Sequence, residues 1–181
     1  RVRVLETRRI LRESSLVIEL LPGISRGEKM DWVIQKSVEL GVAAIRPILS
    51  ERSEVRLNGD ETRRMRRWRE IIIGACEQCG RTLLPQMLAP VPVEQVRPDA
   101  ATRLVLHPSA ESDLTQCPPA DGKVALAAGP EGGFSDRDLA KLDSFGFRRV
   151  RFGPRILRTE TASVAAVTAL QVLYGDLGKF R

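Results

Sequence analysis

Two loops near the C-terminal end hold the residues whose types and spacing best suit chemistry: Gly129-Pro-Glu-Gly-Gly-Phe134 and Gly153-Pro-Arg-Ile-Leu-Arg-Thr-Glu-Thr-Ala162. Their glycines allow positive φ and let backbone amides approach a ligand with no Cβ in the way. Their ionisable groups are Glu131, Arg155, Arg158 and Glu160. A site made largely of backbone and arginine is suited to holding two partners in register and to stabilising developing charge.

The standard alternatives find no support. Neither GxGxxG at a first strand-to-helix turn nor GxxxxGK[ST] is present, so the dinucleotide and P-loop fingerprints are unmet. His107 is the one histidine, with no nucleophile motif near it, and no acidic cluster has metal spacing, so no metal is expected. Cys76-Glu-Gln-Cys79 spells CxxC without a second pair. It lies inside a helical pattern, which favours two small apolar side chains in the core over a thiol redox site.

The elements that must position the loops follow from periodicity. Lys123 to Ala128 and Arg103 to His107 predict buried strands, and Arg148 to Phe152 a third. Ser135 with Asp138 predicts a capped helix start. Glu28 to Leu40 predicts an amphipathic helix ending at Gly41, Ala43 to Leu49 a strand, and Asp60 to Cys79 a long helix. Arg63, Arg64, Arg66, Arg67 and Arg69 on that long helix read as a solvated face, with a basic stripe beside an RNA site as the alternative. The segment from Leu84 to Ala101, rich in Pro and Val, reads as a connection with a short strand or helical turn. The final helix, Thr159 to about Tyr174, has almost no polar face and must be covered on most sides, which predicts a homodimer. Two extended runs open the chain, Val2 to Leu5 and Ser15 to Leu21. They read as the tail of a small β domain or as strands added to the main sheet. Alternating strands and helices predict an α/β fold, a mostly parallel sheet with helices on both faces.

At 181 residues, with 43% hydrophobic and 29% charged content, the chain fits one soluble domain with at most a fragment of another. Apolar runs fall short of a membrane span and no secretory pattern opens the chain, so a cytoplasmic location without membrane association is expected. Lys and Arg total 29 against 23 Asp and Glu, and 24 of the bases are Arg. That balance suits a polyanionic partner or reflects a GC-rich genome.

Gly129 to Phe134 together with Arg155-Ile-Leu-Arg-Thr-Glu-Thr-Ala162 resembles the signature of the RsmE family, SPOUT-class methyltransferases that methylate N3 of a uridine in 16S ribosomal RNA. Gln35-Lys-Ser-Val-Glu-Leu-Gly41 and Glu77-Gln-Cys-Gly-Arg81 followed by Pro85 resemble two further blocks of that family. Cys79 and Phe152 depart from its usual serine and leucine. The resemblance implies a SPOUT-type domain over 23–181 with a deep C-terminal trefoil knot, a rare exception to chain topology. It also implies that residues 1–22 are the tail strands of a largely absent N-terminal PUA-like β-barrel. The cofactor implied is S-adenosylmethionine, and the partners are 16S ribosomal RNA of the small subunit and a second copy of the chain. By the same resemblance the cofactor pocket would comprise Leu106, His107, Pro108, Ala128, Gly129, Pro130, Glu131, Gly132, Gly133, Phe152, Gly153, Ile156, Leu157, Arg158, Thr159, Thr161 and Ala162. Arg158 is expected to stabilise the uracil anion, Arg155 to contact a phosphate or base, and Glu160 or Glu131 to accept the proton. Arg81, Gln78 and Lys36 are further expected RNA contacts. The rival expectations are an RNA-binding or ribosome-assembly protein without catalysis, and a SPOUT enzyme acting at another RNA position.

Overall fold

In a computed structural model, residues 2–7, 10–53 and 61–178 are described. The buried run Val124 to Ala128 explains the architecture, because a strand apolar on both faces needs helices above and below it. The main sheet contains β1 (Val17–Pro22), β2 (Ala44–Ile45), β4 (Gln86–Met87), β6 (Thr102–Leu106), β7 (Lys123–Ala128) and β8 (Arg148–Val150), in the order β4-β2-β1-β7-β6-β8. A second, two-stranded sheet pairs β3 (Ile48–Leu49) with β5 (Val91–Pro92). Every pairing is parallel.

The two-residue period of the strands divides the core into two layers. Ile18, Leu20, Leu104, Val124 and Leu126 face one layer, with α1 (Glu28–Glu39), α2 (Glu61–Cys79) and α4 (Thr159–Tyr174). Leu21, Val105, Ala125 and Ala127 face the other, with α3 (Asp136–Ser144) and the 3-10 turn Val93–Gln95. Helices therefore cover both faces, as periodicity predicts. Gly41, at φ +83°, ends α1 as expected. None of the helices among the described residues is long and apolar enough to cross a membrane.

Three boundaries are corrected. The expectation that residues 1–22 are tail strands of a separate barrel fails for β1, which sits between β2 and β7 in the middle of the main sheet. Leu16, Ile18 and Leu20 face one core layer and Leu21 the other, each at most 2% exposed, so the segment needs the cover that this sheet provides. Val2 to Leu5 forms no strand and is exposed. The single strand expected from Ala43 to Leu49 is broken at Arg46-Pro47, since Pro47 has no N–H to donate; β2 and β3 join different sheets.

Of the cysteine pair, Cys76 belongs to the core, whereas Cys79 is half-buried. Cys76 is buried, its thiol faces the Leu83 carbonyl at 3.9 Å, and burial pushes its pKa up, the opposite of a reactive thiolate.

Candidate functional site

Both loops lie beyond the C-terminal ends of parallel strands, where open α/β sheets bind ligands. Loop 129–134 follows β7, loop 151–158 and the start of α4 follow β8, and Leu106 to Pro108 close β6. Together they wall a cleft of about 610 Å³, a volume suited to a small molecule.

The floor depends on glycine where another chain segment comes close. A Cβ on Gly129 would lie 3.1 Å from the Gly133 backbone, and one on Gly132 would lie 3.1 Å from Arg52 Cβ. Gly133, at φ +68°, closes a turn by donating its N–H to the Pro130 carbonyl at 2.8 Å. Gly23, just after β1, packs so tightly on this loop that a Cβ would overlap Pro130 and lie 2.9 Å from the Gly129 carbonyl carbon. Gly23→Ala is therefore expected to cost about 1–3 kcal/mol through overpacking against backbone, read as a lower thermal midpoint.

The loop is also strapped from outside. Ser135 caps α3: its Oγ accepts from Asp138 N–H at 3.1 Å, and Ser135 N–H donates to the Asp138 carboxylate at 3.0 Å. The same carboxylate accepts from Glu51 N–H at 3.2 Å, which ties the turn 50–53 to the helix start. Arg52 is thereby placed over the glycines and donates to the Gly132 carbonyl at 3.3 Å.

Charge is distributed unevenly along the walls. Lys29 Nζ lies 3.2 Å from Glu131. Burial acts to raise the Glu131 carboxyl, but its own amide, Lys29 and Ser25 outweigh burial and hold it below the usual glutamate value. Glu160 Oε2 is buried with no hydrogen-bond partner. Arg155 and Arg158 are exposed on the rim, where neither side chain makes a hydrogen bond or ion pair among the described residues. His107 Nδ1 accepts from Ser109 N–H at 3.3 Å.

With one exception, the expected cofactor residues line this cleft; Thr161 does not, and is exposed. Arg155 and Glu160 line it as well. Phe134, the end of the first signature loop, lines it too, and Lys29, Arg52 and Arg151 complete the walls without having been foreseen. Lys29 could have been found once β1 was paired with β7, because the segment after β1 must then border the loop after β7.

The RNA methyltransferase domain family matches residues 12–171. The ribosomal RNA small subunit methyltransferase E of Buchnera aphidicola subsp. Schizaphis graminum is 42% identical over 173 residues, covering 91% of this chain and 69% of that protein. This chain belongs to the ribosomal RNA small subunit methyltransferase E family. A Legionella pneumophila methyltransferase solved with bound S-adenosylmethionine superposes with a TM-score of 0.89 at 44% identity, covering 93% of this chain and 71% of that one. The methyltransferase E of Neisseria gonorrhoeae, also bound to S-adenosylmethionine, gives 0.86 at 40% identity, covering 92% and 70%.

Of the expected RNA contacts, Arg81 is corrected. Its side chain is 7% exposed and fully engaged: it donates to Glu13 at 3.0 Å and to the Val38 and Val42 carbonyls at 3.0 and 2.8 Å. It staples the segment before β1 to the end of α1. Lys36 is paired with Glu39 at 2.7 Å, and Gln78 is exposed on α2. Neither lines the cleft.

Proposed function

We propose that the chain transfers a methyl group from S-adenosylmethionine to N3 of a uridine in 16S ribosomal RNA. The observation that carries this reading is the cleft itself, built from the two signature loops at the same strand ends in a member of the methyltransferase E family.

The residues present fit the cofactor. The glycine floor folds tightly where a Cβ on Gly129 or Gly132 would meet the Gly133 backbone or Arg52, and the unpartnered Glu160 Oε2 offers a buried acceptor. Leu106, Ile156 and Leu157 supply apolar walls, and Gly129 to Gly133 supply polar backbone. When bound, S-adenosylmethionine supplies an electrophilic methyl on a sulfonium.

The protein's part is positional and electrostatic. Holding the uracil edge in line with the methyl is worth up to about 7–11 kcal/mol of the barrier. Arg158, unpaired on the rim, stabilises the anion formed when N3 loses its proton. Arg155 beside it contacts a neighbouring phosphate or base, and Glu160 takes the proton. Glu131 is the weaker base, since its partners favour its charged form.

Three finer features belong to this reading. A trefoil knot belongs to this reading through the family resemblance, and β8 at the sheet edge beside β6, with Arg151 bridged to Asp113 of the connection after β6, is compatible with it. Val172 and Leu173 on α4, 47% and 43% exposed, with Ile156 at 86% beside the cleft, support a homodimer that covers them. A cytoplasmic location fits a ribosomal RNA substrate.

Calorimetric titration with S-adenosylmethionine should show stoichiometric binding. Mass mapping of ribosomal RNA should then find one uridine methylated in the presence of the protein and unmodified without it. Methylation of a ribose hydroxyl instead would reject the N3 assignment.

A further inference from the structure

A second cleft, of about 340 Å³, lies on the other side of the first turn of α1 from the methyl-transfer site. Lys29 borders the first cleft, and its neighbour Met30 borders the second. Arg26, Arg63, Arg64 and Arg67 line the second cleft, and Asp31 is the one carboxylate among its described lining residues. That carboxylate is already paired with Arg67.

Arg64 is the informative member. Its guanidinium lies 6.0 Å from the ring centre of Trp68, which is 3% exposed, and its Nη1 is buried with no hydrogen-bond partner. A buried guanidinium N–H left without an acceptor is costly, so the arrangement gains from an anion that supplies one. The start of α1 adds to this, since its cap position is Gly27 and no side chain caps its first amides. Three arginines of the stripe expected to be a plain solvated face thus line a concave surface instead.

Resting on the methyl-transfer reading, we infer that this second cleft seats a phosphodiester group of the same RNA strand whose uridine occupies the first cleft. Lys29 and Arg52 in one cleft and the four arginines of the other form a basic track across the start of α1. The planar forks of arginine suit paired phosphate oxygens better than a point charge would.

The test is binding of a fluorescently labelled, uridine-containing RNA oligonucleotide to the full chain, measured by anisotropy across a salt series. Wild type is compared with Arg64→Gln, Arg63→Gln, Arg64→Lys and, as a control outside the cleft, Arg69→Gln. Each glutamine substitution in the cleft is expected to reduce the slope of log affinity against log salt by about 0.7. Arg64→Lys should retain most of the slope, and Arg69→Gln should leave it unchanged. Calorimetry with S-adenosylmethionine should be unaffected throughout, which separates failure here from failure of the methyl-transfer reading. Should Arg64→Gln not fold, Arg63→Gln on the exposed rim carries the measurement. Unchanged slopes in the cleft variants, an equal loss in Arg69→Gln, or no binding by wild type at low salt would overturn the inference.

Discussion

Replacing Arg158 by alanine is expected to lower the single-turnover methylation rate by about 10²–10³, the usual cost of deleting one donor aimed at developing charge. Affinity for S-adenosylmethionine should change little. Arg158 is the N-cap residue of α4, yet it caps with backbone alone; its carbonyl accepts from Ala162 N–H at 2.7 Å and its side chain makes no cap bond. Alanine preserves that carbonyl, so the helix start survives the change. Arg158→Lys should fall between the two, because it keeps the charge and loses the planar fork. Measuring rate and calorimetric affinity on the same variants separates the roles: a collapse of cofactor binding would assign the side chain to the scaffold.

Arg81→Ala should instead destabilise the fold, by about 3 kcal/mol. That is the lower end of the range for breaking a buried pair, chosen because Glu13 remains 17% exposed. The substitution strips the Val38 and Val42 carbonyls of a donor and leaves Glu13 facing only the Thr82 and Leu83 amides, at 3.2 and 3.1 Å. The sign of the pH dependence is fixed by Glu13. Burial acts to raise its carboxyl, but Arg81 and the two amides prevail and hold it below the ordinary value of 4.5. A depressed carboxylate stabilises the fold above 4.5, and that contribution is lost as pH falls through the lower, folded value. Urea titrations of wild type and variant should therefore differ most at neutral pH and converge under acid conditions. Equal stability of the two proteins at pH 7 would contradict the staple and return Arg81 to the RNA surface.

Part of this site was legible before any folding was considered, and particular residues show why. The strand Lys123–Ala128, the Ser135 cap and the glycine turn between them are consecutive, so hydrophobic period, capping chemistry and φ preference state them locally. The same holds for residues 153–162, the loop and the first turn of α4. Arg81 was misread for a complementary reason. An arginine after a helix looks the same in sequence whether it meets water, RNA or a carboxylate 68 residues earlier in the chain. The position of β1 was open for a related reason: an apolar run predicts a buried strand but does not choose its neighbours.

The amino-acid sequence by itself determined the alternation of strands and helices, the two loops and their chemical character, because each depends on residues within a few positions of one another. Tertiary structure alone decided that Lys29 meets Glu131 across 102 residues, that the Glu51 amide reaches Asp138 across 87, and that Arg63, Arg64 and Arg67 turn toward a concave surface. Those contacts exist only where parallel pairing sets β1 beside β7, and such pairing joins segments that no local pattern relates.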